Sequence, residues 1–355
     1  MMVNQRLQAF AYGLLLAVLL GWVLHVGKDI FVPVAFGVVV VYIVSGLANL
    51  LARIPLLAPV LTTRVRYVLS VLVIAAALAG FASLLIATIG RFVENAAQYQ
   101  AVVMRLAQNV GVRFGVETEP TWTSVREYVV QRISVSQVVG STAGVILSIA
   151  ASVVLVFLYA AFLLIEQSVF SGKIDRLSKD AEGAQRIRRI LSSINARIGR
   201  YLALKTVLGI VVGALSLIVM KSIGLEFAAF LALLIALLNY IPYIGSVLSV
   251  VLPVIVAIAQ FGDVNVVLLT TASLAVLQFA NGNLLDPYLM GNSLNLSPFV
   301  IVLSLAVWTA LWGIPGALLA VPFAAILVIV FSESDATRPL AILLSRDGRL
   351  SKDAD

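Results

Sequence analysis

Two stretches of this chain are free of charge for longer than a single membrane crossing requires, and both are broken at their centres. Phe227 to Phe261 contains no charged residue, and neither does the 34-residue stretch 298–331. A straight helix crosses a bilayer in about 20 residues. In the first run the sequence reads Asn239-Tyr240-Ile241-Pro242-Tyr243-Ile244-Gly245, and in the second Gly313-Ile314-Pro315-Gly316. Proline removes a backbone donor and clashes with the preceding turn, while glycine allows the chain to reverse. In lipid a freed backbone group costs several kcal/mol, so an irregular stretch must face protein or a wet cavity. Each run is predicted to be two half-length helices joined by a tight turn at Pro242 and Gly245, or at Gly313, Pro315 and Gly316. That is a re-entrant hairpin. The alternative, two proline-kinked pairs of ordinary spans, leaves the C-terminus on the same side.

The rest of the chain fits a membrane. It is 61% hydrophobic and 12% charged, against about 45–50% and about 25% in soluble domains. Apolar spans are predicted at 10–26, 30–51, 67–90, 142–165, 201–220 and 264–281. The fold class is therefore an all-α polytopic membrane protein. The net charge of +7 is concentrated in short loops, where it sets topology and gives no reason to expect nucleic acid. With no cysteine and one histidine, thiol chemistry is excluded and a His-based metal site is not expected. The sequence has no hydrolase elbow, phosphate loop or metal-ligand spacing. No enzyme, cofactor or metal is expected, and transport would draw on an ion gradient rather than on ATP.

The segments read as helices 1–3 over 1–90, an extracytoplasmic insert over 91–140, helix 4 over 141–165, a basic cytoplasmic or interfacial helix over 166–200, a transport unit over 201–331, and a cytoplasmic tail over 332–355. In the insert, Val93, Ala96, Ala97, Val102, Val103, Leu106 and Val110 keep helical spacing; they suit either a cap on the spans or a subunit contact. With the N-terminus inside, the all-basic loop 52–66 and the stretch 166–205, with nine Lys/Arg against four acids, both fall inside, as positive-inside topology requires. Residues 201–260 and 264–331 are then two span-plus-hairpin units of opposite orientation. Inverted repeats with broken helices bind substrate and coupling ions near the bilayer midplane in secondary transporters.

Polar side chains near the breaks are the candidate solute or ion ligands. Asn239 and Tyr240 lie at the first turn with Tyr243 and Ser246, and an amide offers both donor and acceptor; helix capping is the alternative role. Gln278, Asn281 and Asn283 precede Asp286, and Gln278, Asn281 and Asp286 suit one polar face. Asp286 is the carboxylate candidate for a cation or proton, or a cap beside Pro287. Asn292, Ser293 and Asn295 suit a loop near the second hairpin. Glu226 suits a helix N-terminus, with Lys221 as its partner.

As a set, Asn239–Gly245, Leu285-Asp286-Pro287, Gly291, Leu294-Asn295-Leu296-Ser297-Pro298 and Gly313-Ile314-Pro315-Gly316 with Pro322 resemble the autoinducer-2 exporter family of bacterial membrane transporters. The resemblance implies about eight membrane segments and an insert between spans 3 and 4. It also implies a homo-oligomer, with a pentamer among its forms, in the bacterial inner membrane. It implies export of a small polar solute such as autoinducer-2; family members are also linked to Na⁺(Li⁺)/H⁺ antiport. A channel or a membrane scaffold is the further alternative. The expected partners are that solute or a monovalent cation or proton, and membrane lipid.

Overall fold

The computed structural model describes residues 2–54, 61–95, 98–99, 101–102, 135–177, 180–290 and 294–348. Most of the 91–140 insert, and Gly291, Asn292 and Ser293, lie outside them. Among the described residues the chain is helical: α1 (Met2–Val26), α2 (Lys28–Arg53), α3 (Thr63–Glu94), α4 (Val135–Leu177), α5 (Ala181–Ile223), α6 (Ala228–Leu238), α7 (Ile244–Phe261), α8 (Val264–Ala280), a π-helical turn (Asn281–Leu285), α9 (Asp286–Met290), α10 (Pro298–Trp312), α11 (Ile314–Ser332) and α12 (Arg338–Leu344). Six of these helical stretches are long and apolar enough to cross a membrane, and four shorter apolar helices accompany them. Large apolar side chains such as Leu14, Trp22, Val154, Ile218, Val276 and Phe279 are exposed. Such outward-facing residues suit a lipid solvent and would be a liability in water. The chain is a polytopic all-α membrane protein.

The helices sort into two compact units, Met1–Gly46 with Ser152–Leu202 and Asn292–Asp355, and Leu47–Ala151 with Ala203–Gly291. Each contains one of the broken helices, and in each the two halves fold back on one another. In the first unit, the Ser304 hydroxyl of α10 donates to the Ala320 carbonyl of α11 at 2.8 Å. The rings of Trp308 and Phe323 lie 4.1 Å apart, and Trp312 packs edge-on to both. The reversal is made by Gly313, whose φ of 67° and ψ of −142° only glycine adopts readily. In the second unit, α6 and α7 meet at the tip, where a Cβ on Gly245 would overlap the Leu238 carbonyl. They also meet at the base, where the Glu226 N–H donates to Gln260 Oε1 at 2.8 Å and Gln260 Nε2 donates to the Gly224 carbonyl at 3.0 Å. Each run is thus two helices folded back on one another; α7 and α11 are by length and composition able to cross a membrane, whereas α6 and α10 are shorter.

Two segments differ from their sequence reading: 201–331 is divided between the two units near Gly291, and the basic stretch merges with its neighbours. The basic stretch 166–200 is not a separate helix. α4 continues to Leu177, and α5 runs unbroken through 43 residues from Ala181 to Ile223. At 1.5 Å per residue α5 is about 65 Å long, roughly twice the hydrocarbon thickness. Its basic half carries the helical period of the span onward, and Arg188 holds Asp175 of α4 by an ion pair.

The hairpin of the second unit is seated by small residues. A Cβ on Gly209 or Gly213 of α5 would lie 2.7 Å from the Ala236 carbonyl or 2.9 Å from the Ala232 carbonyl of α6. Two small residues four apart on each helix let the backbones approach as they do in membrane helix pairs. At its base, Glu226 accepts a hydrogen bond from the Tyr99 hydroxyl and not an ion pair from Lys221. Tyr99 also stacks on Phe92 and meets Phe227 edge-on. Burial, and then the bond to Glu226, push the Tyr99 phenol up to about 12.

A Tyr99 that stays protonated in the fold while an unfolded tyrosine ionises near pH 10 contributes stability below that pH and loses it as pH rises toward 12. Thermal unfolding of wild type and Tyr99→Phe should converge over this window. Close packing gives a second expectation. Gly316→Ala drives a Cβ into the Trp308 carbonyl and should cost about 1–3 kcal/mol, read as a lowered unfolding midpoint in detergent. Gly80→Ala, in open space on α3, should be neutral or stabilising.

Candidate functional site

A closed circuit of polar side chains lies inside the second unit, assembled from α5, the hairpin tip and the end of α8. Along α5 the buried stripe is Tyr201, Lys205, Leu208, Val212, Ser216 and Met220, spaced so that one helix face turns inward. Lys205 is the charged member of that stripe, and its Nζ donates to both oxygens of Asp286, at 3.0 and 2.9 Å. The next residue, Thr206, has its hydroxyl 2.6 Å from that of Tyr240 at the tip. Beside Tyr240, Asn239 accepts through Oδ1 from Asn281 Nδ2 at 2.9 Å. Asn281 opens the π turn that leads back to Asp286. Three side-chain links, 205–286, 206–240 and 239–281, thus tie the three elements together.

The π turn sets the register of the circuit. On a regular α-helix, Asp286 would lie five residues and about 140° around from Asn281. Here the Asp286 N–H donates to the Asn281 carbonyl five residues back. The wider turn lies between the side chain that meets Asn239 and the one that meets Lys205, and such turns recur at functional sites.

Three buried amides, two of them in this circuit and the third on α8 one turn before Asn281, keep unused capacity. Asn239, Gln278 and Asn281 are 9%, 7% and 3% exposed. Asn239 Nδ2, Gln278 Nε2 and Asn281 Oδ1 have no hydrogen-bond partner. Turning the asparagine amides over only exchanges the group left over. A buried unsatisfied polar group costs about 1–3 kcal/mol, so each is an unmet demand for a partner inside an otherwise apolar environment.

Other candidates fall elsewhere. Tyr243 is exposed and sits in a strained γ-turn, with φ 62°, ψ −57° and Ile244 N–H donating to the Pro242 carbonyl at 2.7 Å. The Ser246 hydroxyl is spent on the Tyr243 carbonyl. Asn283 is exposed and its amide bonds back to Phe279. Asn295 belongs to the first unit, at φ 46°, where its carbonyl accepts from the Arg346 N–H. Pro242, Gly245, Gly313, Pro315 and Gly316 lie at the junctions of α6 with α7 and of α10 with α11. Lys205 and Thr206 are absent from the candidates drawn from the sequence. The signal for Lys205 is a cation four residues inside a span, on its buried stripe.

Among the described residues, no cluster of three or more His, Cys, Asp or Glu side chains could hold a metal. Apolar spans, broken-helix hairpins and a polar circuit at membrane depth define a membrane transport protein. Residues 12–335 match the family of AI-2E family transporters, and the chain belongs to that family. A candidate transport protein of Borreliella burgdorferi is 34% identical over 207 residues, 58% of this chain and 57% of its own length. The AI-2 transport protein TqsA of Escherichia coli K12 is 34% identical over 195 residues, 55% of each chain. A candidate transport protein of Haemophilus influenzae is 28% identical over 265 residues, 72% of this chain and 74% of its own length. The alignment spans about half the length of the first two relatives.

The two asparagines can be compared directly with an exposed one. Asn281→Ala strands the Asn239 oxygen without its donor and should cost about 1–3 kcal/mol. Asn283→Ala should stay within about 0.5 kcal/mol. Unfolding midpoints in detergent check both.

Proposed function

We propose that this protein is a secondary transporter that moves a small polar solute across the bacterial cytoplasmic membrane by alternating access, with both termini cytoplasmic. The observation that carries this is the set of three buried amides at the hairpin tip and the end of α8, which hold two N–H donors and one carbonyl acceptor unused. Nothing in packing calls for such groups at membrane depth, where polar side chains are costly and usually face an internal cavity. A bound solute would satisfy them, and water would do so when the site opens. Asn239, Tyr240, Gln278, Asn281 and Asp286 are the residues assigned to the site, with Lys205 and Thr206 added. The remaining candidates, Tyr243, Ser246 and Asn295, are not assigned to it. A scaffold has no use for two charge-free broken helices. The name of the TqsA relative makes autoinducer-2 the first solute to test, in the export direction.

Proteoliposomes holding purified protein should show saturable autoinducer-2 flux. Asn281→Leu, shown to be folded, should slow it by about tenfold, the equivalent of one hydrogen bond worth about 1.4 kcal/mol. Flux that does not saturate, or that Asn281→Leu leaves unchanged, would overturn the assignment.

A further inference from the structure

We propose that Lys205 is the resident counter-ion of Asp286, so that this carboxylate is filled by the protein's own ammonium and is not a seat for a monovalent cation. The inference deepens the solute-site assignment above and rests on it for its consequence in transport, namely that the solute bound there is uncharged.

The geometry of the pair is the first support. Both carboxylate oxygens of Asp286 accept from Lys205 Nζ, at 3.0 and 2.9 Å. The side chains are 5% and 29% exposed. The ammonium is the more deeply enclosed partner, with Tyr201, Leu208 and Val212 along its stripe.

The second support is that, among the described residues of this unit, no other carboxylate pairs with Lys205. The other carboxylates described in this unit are Glu94, Glu226 and Asp263. Glu226, at the base of the hairpin, takes the Tyr99 hydroxyl. Asp263 caps the start of α8 through the Asn265 N–H at 2.7 Å. Glu94 ends α3 and is exposed. A Na⁺ or Li⁺ ion arriving at Asp286 would therefore leave a bare ammonium in a low-dielectric interior, the arrangement that breaking a buried pair makes costly.

The third support is the π turn. It ends at Asp286, whose N–H bonds to the Asn281 carbonyl five residues back while its carboxylate accepts from Lys205. With the two charges cancelling, the unmatched groups of this unit are neutral, three amides and the Ser216 hydroxyl. The complement of the amides is a neutral solute bearing hydroxyl and carbonyl oxygens, since such a molecule accepts from two N–H groups and donates to one carbonyl.

The test uses the full chain in nanodiscs, with choline chloride holding ionic strength constant. Two readouts are followed: ²²Na⁺ binding, and the unfolding midpoint as NaCl or LiCl replaces choline. Wild type should show no saturable Na⁺ binding that Asp286→Asn removes. Lys205→Met should gain a Na⁺-dependent rise in midpoint, as binding to the folded state requires. The double variant Lys205→Met/Asp286→Asn should lose that response and unfold at a higher temperature than either single variant. Saturable Na⁺ binding in wild type that Asp286→Asn abolishes would overturn the proposal. So would a folded Lys205→Met that ignores Na⁺, or a double variant no more stable than the weaker single. If Lys205→Met does not fold, the wild-type binding and the order of stability of Asp286→Asn and the double variant still decide. Neither readout involves solute flux, so failure of the transport assay leaves this result standing.

Discussion

Hydrogen-bond demand in a solvent that cannot meet it governs this protein. Lipid offers backbone and side-chain polar groups no partners, so every break in a helix and every polar side chain at depth must be answered by the protein or by what the protein binds. The two hairpin turns answer part of this demand by folding half-helices against each other. The circuit around Asn239, Asn281, Lys205, Thr206, Tyr240 and Asp286 answers another part, and three amide groups and the Ser216 hydroxyl remain unanswered. The transport function is read from that remainder.

The packing serves the same end. Gly209 and Gly213 bring α6 close to α5, which sets the tip of the hairpin beside Thr206. The base is tied by Gln260, Glu226 and Tyr99. Between these two anchorages the apolar core of the unit, with Val212, Met220, Leu231, Ile235 and Leu274, excludes water. The strained γ-turn at Tyr243 is held by the seated helices on either side, and strain of this kind persists where the surroundings over-determine the backbone.

The hairpins were legible because proline and glycine fall in the middle of charge-free runs, a pattern that one straight helix cannot accommodate. Asn239 and Tyr240 were legible as polar groups at the first break, and Gln278, Asn281 and Asp286 as polar groups at the end of the span that follows it. Lys205 was hidden among the nine cations of the preceding basic stretch, because counting charge ignores which face a residue occupies. The π turn at Asn-Gly-Asn-Leu-Leu lies between Asn281 and Asp286, and the usual 3.6-residue period carries no sign of it. The continuity of α5 was missed for a related reason. Composition changes from basic to apolar near Tyr201, but the helical period does not. The contact of Gly209 and Gly213 with Ala232 and Ala236 joins two segments, and neither half of it is informative alone.

The central claim is that the amides of Asn239, Asn281 and Gln278 face a cavity that opens to water and solute. The chain has no native cysteine, so accessibility can be read one position at a time in intact vesicles with a small water-soluble thiol reagent. Gln278→Cys should be modified, and autoinducer-2 should slow the modification. Leu274→Cys, one turn earlier on the same buried stripe of α8, should not react. A Gln278→Cys as inert as Leu274→Cys, in folded and inserted protein, would contradict the account.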